Sequence, residues 1–106
     1  MADKDPLGPV SFEIAGNSFE MDLTHRQVQK AQNMLGSDLF DYDGDGLTFN
    51  ATVAFCALEG QHDIRSVDDV LDLMDEGAMV VNGALSRAIQ VFYRRHYQDS
   101  QKKATA

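Results

Sequence analysis

Two short runs near the start of the chain alternate apolar and polar residues. Ser11 and Glu13 separate Val10, Phe12 and Ile14, and Glu20 and Asp22 separate Phe19, Met21 and Leu23. A period of two puts these six apolar side chains on one face of two extended strands. Gly16-Asn17 in the polar break suits a two-residue hairpin turn of type II′, with glycine at positive φ. That register sets Ile14 against Phe19, Phe12 against Met21 and Val10 against Leu23. It also sets Glu13 opposite Glu20 on the outer face, a like-charge pair tolerable only in water. The hairpin is therefore expected to cover a core with one side.

Past Leu23 the period changes to that of helices. Thr24 and Gln27 form a capping-box pattern. Val28, Ala31 and Leu35 make a stripe over His25 to Leu35, and Gly36 ends it. A second helix, capped by Thr48 or Asn50, carries Phe49, Val53, Cys56 and Ala57 on one face. Phe55 and Leu58 extend the apolar surface beyond that face, so this helix is expected to be central, and Glu59-Gly60 stops it. "GQHDIR" reads as a linker. Ser66, with Asp69 three residues on, caps a third helix whose stripe is Val67, Val70, Leu71 and Met74. Asp68, Asp69, Asp72 and Asp75 point outward, the first two favourably placed at the positive end of the helix dipole. Gly77 ends this helix, and a fourth runs from Ala78 to Tyr97 along Val81, Ala84, Leu85, Ala88, Ile89 and Phe92. The expected class is α+β, mainly α: an N-terminal β-hairpin followed by about four helices in a single domain over 10–97. Residues 1–9, with Pro6 and Pro9, and residues 98–106 read as flexible ends.

Composition narrows the function. The chain has 106 residues, 43% of them hydrophobic, and a formal net charge of -8. One small domain with a modest core fits that length. Nucleic acid and anionic membrane surfaces would be repelled. Eleven acidic residues and a single base, Arg65, lie between Asp38 and Glu76, so a basic or amphipathic helical partner suits that region. A lone cysteine, Cys56, sits in the apolar run "VAFCAL" and reads as a core residue. With no internal disulfide, no apolar leader and no run near the roughly 18 residues of a membrane span, the expected location is the cytoplasm.

The one compact motif is "DYDGDG" at 41–46. Asp41, Asp43 and Asp45 occupy positions one, three and five of a calcium-loop pattern, and Gly46 the sixth, where the chain must turn. Position twelve, where the pattern needs a bidentate glutamate, is Thr52. An acidic turn is the plainer reading, with Asp41, Asp43 and Asp45 left as weak candidates for Ca2+. His25, His62 and His96 stand far apart with no helical ligand spacing, which argues against zinc. No nucleophile elbow, phosphate loop or dinucleotide fingerprint occurs, so no catalytic or cofactor-binding residues are assigned. "YRRHY" at 93–97 interleaves aromatics and bases. In an acidic chain it reads as Tyr93 and Tyr97 packing on one side of a helix while Arg94 and Arg95 face water or the acidic helix.

Taken together, "FEIAGNSFEMDL", "TVAFCALEGQHD" and "SVDDVLDLMDEGAMVVNGALSRAIQVF" resemble the tail assembly chaperones of long-tailed bacteriophages and related prophages. The resemblance spans roughly residues 10–93 and rests on layout: a starting hairpin, an apolar helix, a small polar linker, a Ser-capped acidic helix and a long final helix. It implies a non-enzymatic protein of the host bacterium's cytoplasm that binds and solubilises the tape measure protein, helps recruit tail tube subunits, and can form homo-oligomers. On that reading Val67, Val70, Leu71, Met74, Val81, Leu85 and Phe92 are the partner-binding candidates. The alternatives are a small acidic calcium-binding module built on 41–46, or an acidic protein-binding adaptor or inhibitor.

Overall fold

The computed structural model describes residues 8–105, and of residues 97–105 the backbone alone. Most of the expected flexible segment 1–9, and Ala106, lie outside the described residues. The element order is β1 (Val10–Ile14), β2 (Asn17–Met21), α1 (His25–Leu35), α2 (Gly46–Leu58) and α3 (Val67–Thr105). The class is α+β and mainly helical, with three helical segments after the hairpin. The expected third and fourth helices meet without a loop in the segment α3, and the break between them lies at the expected Gly77, which has non-helical φ/ψ (-167, 63). Its backbone stays helical past Tyr97 to Thr105, through the segment read as a loose tail. Among the described residues no helix is long and apolar enough to cross a membrane.

The hairpin forms with a register two residues from the expected one. Phe12 faces Phe19, Val10 faces Met21, and Ile14 faces Asn17. The turn is Ala15-Gly16, at φ 52 and 83, so both central residues take the positive φ of a type I′ turn. A shift of two preserves the side-chain parity, so the apolar residues keep their inward face. Three effects favour this register over one that spares alanine a left-handed conformation costing about 1 kcal/mol. The type I′ turn matches the strand twist. Phe12 and Phe19 stack at 5.3 Å between ring centroids. Glu13 now opposes Ser18 instead of Glu20, and the Ser18 hydroxyl donates to its carboxylate at 3.5 Å.

α1 begins and ends where its signals lie. Thr24 Oγ1 accepts the Gln27 N–H at 3.3 Å and Gln27 Oε1 accepts the Thr24 N–H at 2.8 Å. Gly36 closes the helix at φ 76, its N–H donating to the Gln32 carbonyl at 2.8 Å. α2 is the hub: every residue from Ala51 to Leu58 is buried. A helix apolar on all sides needs cover on all sides. α1 covers one flank, α3 another and β2 a third. Cys56 is part of this core, its Sγ 3.9 Å from Met34 Sδ, and burial pushes its thiol pKa up, which makes it less reactive.

The segment after α2 is more than a linker. Gly60, His62 and Asp63 all take positive φ, which coils the backbone tightly and turns two side chains onto the hairpin. Gln61 acts as a short surrogate strand. Its Oε1 accepts the Glu20 N–H at 2.9 Å and its Nε2 donates to the Glu20 carbonyl at 2.7 Å. His62 Nε2–H donates to the Ser18 carbonyl at 2.7 Å, and its ring meets Phe19 edge-on at 4.8 Å. Three outward backbone groups of β2 are thereby satisfied, which blunts an otherwise open sheet edge. Ile64 is buried beneath this segment. Ser66 then caps α3: its Oγ accepts the Asp69 N–H at 3.3 Å, and Asp69 Oδ2 accepts the Ser66 and Arg65 N–H groups at 3.1 and 2.8 Å.

Candidate functional site

The acidic loop is organised by helix ends. Leu39 is buried and anchors it, with the Leu39 N–H donating to Gln32 Oε1 at 3.2 Å. The Asp41 N–H donates to the Asp38 carbonyl at 3.1 Å, closing a turn. Asp45 is the N-cap of α2: its Oδ2 accepts the Thr48 N–H at 2.9 Å and the Thr48 hydroxyl at 3.0 Å. Those bonds, backbone first, hold its carboxyl below the usual aspartate range. The cap lies earlier than the expected Thr48 or Asn50, and Gly46 is the first residue of the helix instead of a sharp turn. A side chain at residue 44 would press on the outer end of the Tyr42 ring, which would have to swing aside. Thr52, the twelfth position of the calcium pattern, is buried on α2. Of the three candidate aspartates, Asp45 is committed to the cap while Asp41 and Asp43 are exposed. Among the described residues no three His, Cys, Asp or Glu side chains gather as a metal-holding group.

The expected partner-binding stripe lies elsewhere than on the surface. Val70, Met74, Val81, Leu85 and Phe92 are in the core, and Val67 and Leu71 are half-buried against it. The reason is α2, whose all-round apolar surface takes up the stripes of α3. The apolar groups left outward are different ones: Phe40 at 79% exposure, Met79 at 89%, Leu47 at 56%, and Met34 and Val80 to a lesser degree. Their signal in the sequence is negative. Phe40 and Leu47 are apolar residues within a polar loop and its helix start, and Met79 and Val80 fall off the stripe of α3. The Phe40 ring stacks on Tyr93 at 4.6 Å. Burial, and after it the charge of Asp38, pushes the Tyr93 hydroxyl pKa up. An acid thus stands beside the exposed Phe40 and its half-buried stacking partner.

A third feature joins two ends of the chain that the sequence separates. His25 opens α1, and His96 lies near the end of the side chains described on α3. His25 Nε2 and His96 Nδ1 are 3.2 Å apart. Phe92 supports both rings, meeting His25 edge-on at 5.1 Å and lying parallel to His96 at 6.2 Å. Beside them Arg95 Nη2 donates to Asp22 Oδ1 at 3.0 Å, so the partner of this arginine is the strand-to-helix connection and not the acidic helix. Arg94 is exposed. A cleft of about 260 Å³ opens here, lined by Leu23, Thr24, His25, Phe92, Arg95 and His96. Two of the three histidines read as isolated are therefore neighbours, and no local spacing rule could have paired them.

No protein-family model, curated protein or solved structure matches this chain.

Proposed function

We propose that this chain is a binding protein that makes and breaks no bonds. It masks an amphipathic helical stretch of another polypeptide, in the manner of a phage tail assembly chaperone acting on the tape measure protein in the cytoplasm of a bacterial host. The observation that carries the reading is the company kept by the exposed apolar side chains. Phe40 and Leu47, at 79% and 56% exposure, lie in the chain beside Asp38, Asp41, Asp43 and Asp45. Met79, at 89%, follows Asp72, Asp75 and Glu76. Large apolar groups set among carboxylates suit a partner whose apolar stripe is flanked by lysine or arginine. Covering that stripe while adding negative charge would keep such a partner soluble. Recruitment of tail tube subunits and assembly of several copies on one rod follow from the resemblance.

The test is co-expression with the products of the neighbouring genes, among which this reading expects a tape measure protein. The expected result is a soluble complex, with Phe40→Ser, Leu47→Ser and Met79→Ser each reducing capture and the triple variant abolishing it while far-UV circular dichroism stays unchanged. A tape measure protein that is no more soluble with this chain than without it overturns the reading.

A further inference from the structure

We propose that His25 and His96 hold a divalent transition-metal ion of zinc's class, clamping the start of α1 to the second arm of α3. Two imidazoles bound to one tetrahedral ion at about 2.0–2.1 Å stand about 3.3 Å apart. The facing nitrogens here are 3.2 Å apart, close to that spacing, so an ion can be received by turning the two rings until their lone pairs converge beside the line that joins them. In the metal-free pair one ring donates its N–H to the other. To bind the ion, the donating ring carries its proton on its other nitrogen. Both facing nitrogens then present lone pairs, with no net gain or loss of protons.

The surroundings fit such an ion. Phe92 packs on both rings, which holds them in orientation before the metal arrives. The neighbouring cation, Arg95, is neutralised by Asp22 at 3.0 Å. The adjoining cleft of about 260 Å³ has room for water to fill the remaining coordination positions. Two nitrogen ligands select zinc, copper or nickel over magnesium and calcium, which prefer oxygen. The site is thus chemically distinct from the acidic loop. Because the two histidines are 71 residues apart, the ion would bind the folded chain far better than the unfolded one and so stabilise it.

Thermal unfolding and calorimetry of the full, untagged chain with Zn2+, and with Mg2+ as control, test the site. Zn2+ is expected to raise Tm and bind one ion per chain, and Mg2+ to do neither. His25→Gln and His96→Gln should each weaken zinc binding at least tenfold and abolish the shift, while His62→Gln leaves both intact. Imidazole nitrogen NMR of the unaltered chain gives a readout independent of variant folding: zinc should move the His25 and His96 signals and spare those of His62. Absence of a zinc-dependent Tm shift, its survival in either single variant, or zinc-induced change at His62 alone overturns the proposal.

Discussion

The segments on either side of α2 are alike in length and in having one buried apolar anchor, Leu39 before the helix and Ile64 after it. They differ in where their polar groups go. Residues 37–45 are held from within, by a turn, a glutamine of the preceding helix and the cap of the following one. Residues 59–66 reach across to β2, where Gln61 and His62 take three backbone groups of a strand more than forty residues away. The conspicuous motif, "DYDGDG", does little beyond starting a helix, whereas the inconspicuous "GQHD" fastens the hairpin to the helices. Charge density marks a surface, and neutral amide and imidazole groups make the joint.

Five variants test that contrast. Truncating the anchors should have the largest effect and should not distinguish the segments: Ile64→Ala and Leu39→Ala are each expected to cost about 2–4 kcal/mol in urea unfolding. Gln61→Ala breaks the symmetry. It leaves the Glu20 N–H and carbonyl to water and should cost about 1 kcal/mol, with faster amide exchange confined to the hairpin. Asp45→Ala should lower Tm at pH 7 by removing the cap. Its folded pKa lies below the unfolded value, so the stabilisation is present above about 3.9 and is lost as pH falls through the folded value. The gap in Tm between Asp45→Ala and the parent chain should accordingly close on acidification. The double change Asp41→Asn, Asp43→Asn should be the mildest, within about 0.5 kcal/mol of the parent, while weakening capture of a basic helical partner. A large destabilisation by that pair, or none by Gln61→Ala, would reverse the assignment of roles.

Local chemistry in the sequence reads through to the structure wherever a signal acts over a few residues. The Thr24 and Gln27 capping box, the Gly36 stop, the Ser66 cap and the alternation in the hairpin all do so, and so does the central position of α2. The hairpin register is less legible, since two registers of equal parity differ only in turn type and in the cross-strand pairs they create. The α2 start is missed because Asp45 serves a calcium pattern and a helix cap equally well on paper. The surface residues escape for a different reason. An amphipathic stripe shows which side chains want cover, and only the fold shows that α2 and the hairpin already supply it. Gln61 with Glu20, and His25 with His96, are meetings of distant segments, for which a single chain carries no periodic trace.

Gly77 has a consequence for how far the chain can extend. Straightened, the 39 residues of α3 would form a rod about 58 Å long, against a longest dimension of 46 Å for the whole molecule. The elbow lies where the Ile14 side chain comes close enough that a methyl group on residue 77 would rest 3.4 Å from it. One uninterrupted polypeptide thus lines two walls of the interior without an intervening loop, and the tip of the hairpin is the wedge lodged at its corner.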